Sequence, residues 1–227
     1  MNIKDLYNQY HKAVVYIIVE NSDKDQGIGT AFHIGSNVYI TARHVIENKK
    51  IISIAHAHIF PWKEGKLRHP PFYHPDETAD IAALIVDDLE IDVFIPLGSH
   101  LDDWINDDQF ILAKILIMGY PPIPFSREPI LCATEAEINA VVDRYNVKHP
   151  HFIVSAMARG GFSGGPCLIE WDFGLGLVTE SLVHNDQPTE LGYMAVLTVE
   201  PILVCLKHHK ILPQEQIDGW GGSQLSD

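Results

Sequence analysis

The chain has 227 residues, with 16 Lys and Arg against 30 Asp and Glu and a net charge of −14. Such acidity repels phosphate backbones and argues against nucleic acid as a partner, and no apolar run of about 18 residues or more is present to cross a membrane as a helix. Three widely spaced cysteines, Cys132, Cys167 and Cys205, rule out a fully paired disulfide set and predict reduced, buried thiols.

Met1 to Tyr7 lacks the basic, apolar and small-residue succession of a secretory leader, so a cytoplasmic location is expected, with signal-independent export also compatible. Residues 4–12 have helical spacing. Ala13 to Glu20 is rich in β-branched residues and predicts a strand, followed by a polar turn at 21–26. Strands are predicted at 29–34 and 37–41 around Gly35-Ser36-Asn37, and again at 51–57. Residues 61–78 carry four prolines and predict a long loop, before a strand from Asp80 to Val86. The acidic stretch 87–109 has no sustained period. Residues 110–119 are strongly apolar, and further strands are expected at 133–143, 151–156, 166–170, 174–181 and 192–198. Glu200 to Lys210 predicts a helix, with Lys and His at its negative end and Pro213 beyond it.

Many short strands with Gly and Pro between them predict an all-β fold. The length accommodates two antiparallel six-stranded β-barrels packed together, with a short C-terminal helix. The expected division is a first barrel at about 13–90, a connector at about 91–109, a second barrel at about 110–198, the helix at about 199–212, and a flexible tail at 213–227.

The chemistry-bearing segment is Arg159-Gly160-Gly161-Phe162-Ser163-Gly164-Gly165-Pro166. Glycines around one serine let the backbone take positive φ and let a substrate approach closely. A serine that attacks a carbonyl creates an oxyanion, and the N–H groups of Gly161 and Ser163 are the candidates to receive it. Serine is a weak nucleophile and needs a base. His44, in Thr41-Ala42-Arg43-His44-Val45 after a predicted strand, is the candidate among 13 histidines. Asp80, opening an apolar strand, is the candidate to orient that imidazole.

The blocks Gly27-Ile28-Gly29-Thr30-Ala31-Phe32, Ile40 to Val45, Asp80 to Leu84 and Gly161 to Pro166, in that order, resemble the trypsin-like serine peptidases, and among these the HtrA-type protease domain. The resemblance spans roughly residues 10–210. It implies two barrels, a His44–Asp80–Ser163 triad in the cleft between them, polypeptide substrates, and no metal or organic cofactor. It also implies a specificity pocket walled by Met157 and Ala158 on one side and Val178, Thr179 and Glu180 on the other. Met157 stands where trypsin has an acid, so a medium apolar P1 side chain is expected, with Glu180 the residue that could favour a basic one. Neither a pro-segment before the first strand nor a PDZ module after the second barrel is expected, and oligomeric state is left open.

Two other readings are open to the same residues. Gly161-x-Ser163-x-Gly165 matches the nucleophile elbow of α/β-hydrolases, with Asp186 and His208 as partners, but that elbow needs a helix after it. A protease-like scaffold could also bind a partner without cutting it. The pairs His56/His58, His149/His151 and His208/His209 lack zinc-site spacing and are expected to be surface or packed histidines.

Overall fold

The computed structural model describes residues 1–57, 63–143, 148–157, 160–181, 183–184, 187–188 and 193–219. His58, Ala158, Arg159, Asp186 and residues 220–227 of the tail lie outside the described residues.

The N-terminal part contains α1 (Ile3–Tyr10), β1 (Val14–Glu20), β2 (Gln26–His33), β3 (Val38–Thr41), α2 (Arg43–Ile46), β4 (Lys50–Ala55), β5 (Lys66–Leu67), β6 (Phe72–Tyr73) and β7 (Ala82–Asp87). After α3 (Asp102–Asn106) come β8 (Lys114–Gly119), β9 (Cys132–Val142), β10 (His151–Met157), β11 (Pro166–Ile169) and β12 (Phe173–Ser181). The short pair β13 (Val183–His184) and β14 (Gln187–Pro188), then β15 (Tyr193–Thr198), α4 (Glu200–His208) and α5 (Gln214–Gly219), complete the fold.

The second half closes as expected, into a six-stranded barrel of order β10-β15-β12-β11-β8-β9. Within it, β9 shows how sequence sets the face: Glu135 and Glu137 point outward while Ala136 and Ile138 are buried, the period-two pattern of a half-buried strand. The first half differs from the expected six strands. It is a seven-stranded sheet, β4-β1-β2-β3-β7-β5 with β6 added on β7. The sheet curls until its ends meet at a bridge between Ala55 and Glu64, where Gly65 N–H donates to Ile54 O at 2.8 Å. The extra strands are the two-residue β5 and β6, which lie inside the proline-rich stretch expected to be loop. Prolines at 70, 71 and 75 cannot donate to a ladder, and the strands form in the gaps that those residues leave.

Both sheets share one contiguous hydrophobic core. Tyr120, just past β8 and fully buried, reaches across: its hydroxyl donates to Val14 O at 3.1 Å and its ring meets Tyr16 edge-on at 5.5 Å. Tyr10 makes a second tie, its hydroxyl donating to Asp172 Oδ1 at 2.7 Å. The C-terminal helix α4 buries Ile202, Leu203, Cys205 and Leu206 and lies against β15 and β7. His209 just beyond it donates to Tyr73 O at 2.7 Å. Cys167 and Cys205 are buried free thiols and Cys132 is half-buried; burial pushes the Cys205 thiol up to about 12.

The tail expected to be flexible begins instead with α5. Gln216 is buried, accepts from Leu97 N–H at 2.8 Å, and donates to Ile34 O and Ile95 O at 2.7 and 2.9 Å. Glu215 receives the Ser36 N–H and hydroxyl at 3.0 and 2.7 Å. A buried glutamine bonded to three main-chain groups orders this segment. Composition alone, rich in polar residues, concealed it.

His33, His74 and His149 are buried or half-buried, and desolvation holds each imidazole below its ordinary value. His74 and His149 stack edge-on at 5.3 Å between the two halves. In the unfolded chain these groups titrate near the ordinary value of about 6.5. The unfolded state therefore binds more protons below that pH, and stability is lost as pH falls through it. The melting temperature is expected to fall between pH 7.5 and 5.5, and His74→Gln to flatten that fall. A melting temperature independent of pH over this range contradicts the reading.

Candidate active site

β3 ends at Thr41, and the next residues make the single turn α2, so His44 sits on a helical turn rather than on the strand end expected for it. Asp80 lies two residues before β7, within its own predicted strand but ahead of the observed one. The pair is joined twice. The His44 backbone N–H donates to Asp80 Oδ1 at 2.8 Å, and Nδ1 lies 2.6 Å from Oδ2. An ionised carboxylate only accepts, so Nδ1 carries the proton in this bond, and in the neutral imidazole the lone pair is then on Nε2. The His44 side chain is about half exposed.

Neighbouring residues hold this turn. Lys49 Nζ donates to His44 O at 2.6 Å and Val45 O at 3.3 Å, satisfying carbonyls at the negative end of α2. The Arg43 guanidinium grips Glu47 Oε1 through Nε and Nη2 at 2.8 and 2.6 Å and lies over the Tyr73 ring at 5.1 Å. That contact ties the histidine turn to β6, on the path to Asp80.

Ser163 stands in the turn before β11. Gly161 and Gly164 have φ of +91° and +83°, the left-handed region that side-chain-bearing residues rarely occupy. Gly164 N–H donates to Val178 O at 2.8 Å, Val178 N–H to Gly165 O at 2.9 Å, and Gly165 N–H to Phe162 O at 2.8 Å. The turn is pressed into the first sheet: Thr30 N–H donates to Ser163 O at 3.0 Å. A β-carbon at Gly164 would collide with Thr30 O and Thr41 Oγ1 and come within 2.9 Å of Ala42 N. The backbone beside Ser163 therefore abuts the segment that leads directly into His44. Among the described residues, no hydrogen bond links Ser163 Oγ to His44. Neither the Gly161 nor the Ser163 N–H donates to a described protein acceptor.

The expected pocket residues are distributed unevenly. Met157, at the end of β10, is 64% exposed. Val178 and Thr179 are buried, so Val178 meets the serine turn through its main chain. Glu180 is in β12, paired in register with Ala195; its side chain, like Ala158, is outside what is described. The segment after Ser163 is the strand β11, which removes the helix that an α/β-hydrolase elbow requires. Sequence reasoning passed over Thr30, Thr41 and Lys49. The signal for the first two was their place inside the blocks around Gly29 and His44; Lys49 carried none.

A His–carboxylate pair set on one β-sheet, against a glycine-framed serine turn on a second, defines the class of trypsin-like folds. The chain belongs to the trypsin-like peptidase domain family, whose model matches residues 29–171, and is thereby a serine endopeptidase. A search of curated protein sequences returns no significant match. Among solved structures, the active form of the Rv3671c protease from M. tuberculosis is similar with a TM-score of 0.67, at 20% identity over 89% of this chain and 82% of that one. The HtrA-type protease AlgW with a tripeptide is similar at TM-score 0.68 and 16% identity, covering 95% of this chain and 65% of that one. The serine endoprotease from Yersinia pestis is similar at TM-score 0.65 and 18% identity, covering 96% and 69%. At these identities the structural likeness speaks to the fold alone.

Gly164→Ala is expected to destabilise the protein by more than about 1 kcal/mol, because it adds both a forbidden φ and a collision with main chain. Chemical denaturation measures it, and a variant as stable as the parent contradicts the described turn.

Proposed function

We propose that the chain hydrolyses peptide bonds by acyl transfer, with Ser163 as nucleophile, His44 as base and Asp80 as the residue that orients His44. The observation that carries this reading is the double hydrogen bond from His44 to Asp80, which leaves Nε2 as a proton acceptor. Ser163 Oγ attacks the substrate carbonyl and gives its proton to His44 Nε2. The tetrahedral oxyanion accepts from the Gly161 and Ser163 N–H groups. His44 then protonates the leaving amine, and water, deprotonated by His44, releases the acyl group from Ser163. Asp80 orients His44 and stabilises the imidazolium each time it forms. No metal or organic cofactor takes part in these steps. Activity declines on acidification, because a protonated imidazole cannot accept the serine proton; a rate indifferent to acid contradicts this role for His44.

A polypeptide substrate suits the family, and the similar AlgW structure holds a tripeptide. For specificity, the exposed apolar Met157 supports a medium apolar P1 side chain. Strict cleavage after Lys or Arg in a peptide library overturns that preference.

Casein digestion tests the main reading. Ser163→Ala is expected to lower kcat by about 10⁶, and Asp80→Asn by about 10⁴, as in other serine peptidases. Cleavage that survives Ser163→Ala undiminished removes Ser163 as nucleophile. An intact wild type that digests neither casein nor a peptide library, and whose Ser163 resists a fluorophosphonate, contradicts the proposed mechanism.

A further inference from the structure

Thr30 lies in β2, fully buried, and each of its polar groups is bonded to a different part of the site. Its N–H donates to Ser163 O at 3.0 Å. Its hydroxyl donates to Gly161 O at 2.6 Å and accepts from Tyr120 N–H at 3.0 Å. Its carbonyl accepts from Thr41 Oγ1 at 2.7 Å, three residues before His44. One residue of the first sheet thus holds the turn around Ser163 on both sides of Phe162, and holds the approach to His44 as well.

In a trans peptide the C=O and N–H point in opposite directions. The Phe162 carbonyl is turned inward to Gly165 N–H at 2.8 Å, so the Ser163 N–H of the same peptide is turned the other way. The Gly161 carbonyl is turned into the protein by Thr30 Oγ1, with Tyr120 N–H also within 3.3 Å. Without that anchor, nothing about Gly161 itself resists rotation, since it has no β-carbon. Phe162 is buried, and its ring packs on Gly119, where an added β-carbon would lie 2.8 Å from it. Three consecutive carbonyls, those of Gly161, Phe162 and Ser163, are therefore each held by a protein donor, and the Ser163 N–H points opposite to the one at Phe162. Threonine suits the task, because branching at Cβ restricts χ1 in a strand and aims the hydroxyl in advance.

We propose that Thr30 is a positioning residue for catalysis: its hydroxyl latches the Gly161–Phe162 peptide, and through it the pair of N–H groups that receive the oxyanion. The proposal rests on Ser163 acting as the nucleophile. It concerns a residue of the opposite sheet that touches no substrate.

Thr30→Val keeps the volume and removes the hydroxyl; Thr30→Ser keeps the hydroxyl. With a peptide substrate, Thr30→Val is expected to lower kcat by about 10- to 100-fold, the scale of a small misplacement of catalytic groups. KM is expected to stay within about twofold, and Thr30→Ser to keep kcat within about threefold of wild type. Amide exchange at Tyr120 and Gly165 is expected to quicken at least about tenfold in Thr30→Val and little in Thr30→Ser. If Thr30→Val fails to fold, Thr30→Ala carries the same comparison. Wild-type kcat in the valine variant overturns the proposal, as does equal impairment of the valine and serine variants. Unchanged exchange at both amides overturns it too, and this readout needs no activity. A wild type that neither cleaves nor is labelled at Ser163 sinks the proposed function instead, and exchange alone then decides whether the latch exists.

Discussion

The structure depends on how closely the serine turn approaches the first sheet. At Gly164 the backbone lies so near Thr30 O, Thr41 Oγ1 and Ala42 N that no side chain fits. This approach brings residues far apart in sequence, 30, 42 and 164, into one plane of contact. It needs a positive φ, and only glycine adopts that at little cost. Were the gap wider, the second barrel could still close on itself, but its serine would stand away from the histidine turn. The site is thus a property of the interface between two sheets and not of either one.

The two sheets reach that interface with different supports. The second is a closed barrel, and its strands β11 and β12 brace the serine turn through Gly164, Gly165 and Val178. The first curls around short strands, and its histidine turn leans on outside help. Lys49 satisfies the carbonyls of α2, Arg43 reaches over Tyr73, and His209 after α4 holds Tyr73 from behind. The C-terminal helices therefore contribute to the site although they never enter it: α4 lies on β7, and Gln216 of α5 ties together Ile34, Ile95 and Leu97.

Much of this was legible in the sequence, for physical reasons. β-branched runs such as Val14 to Val19 and the alternation through Glu135 to Ile138 declare strands, and glycines massed around Ser163 declare a turn under steric demand. His44 and Asp80 were found through their surrounding blocks, and the double hydrogen bond between them is visible only in three dimensions. What the sequence hid was of three kinds. Two-residue strands β5 and β6 are too short for any period to show among prolines. Helix α5 is ordered by one buried glutamine, an interaction with residues more than a hundred positions away. Thr30 looks like an ordinary strand threonine, because the partners of its hydroxyl lie 90 and 131 residues further along.

The central claim is that Ser163 Oγ and His44 Nε2 serve one reacting carbonyl. A panel of peptidyl chloromethyl ketones with varied P1 groups tests it directly, since such a reagent is attacked at its carbonyl by the serine and alkylates the histidine that stands beside it. The account predicts the inhibitor on the His44 peptide in the mass spectrum of the digested adduct, and its loss in Ser163→Ala, because the serine hemiketal reverts on digestion while the histidine–carbon bond survives. Labelling of Ser163 by a fluorophosphonate with no His44 adduct from any member of the panel would contradict it.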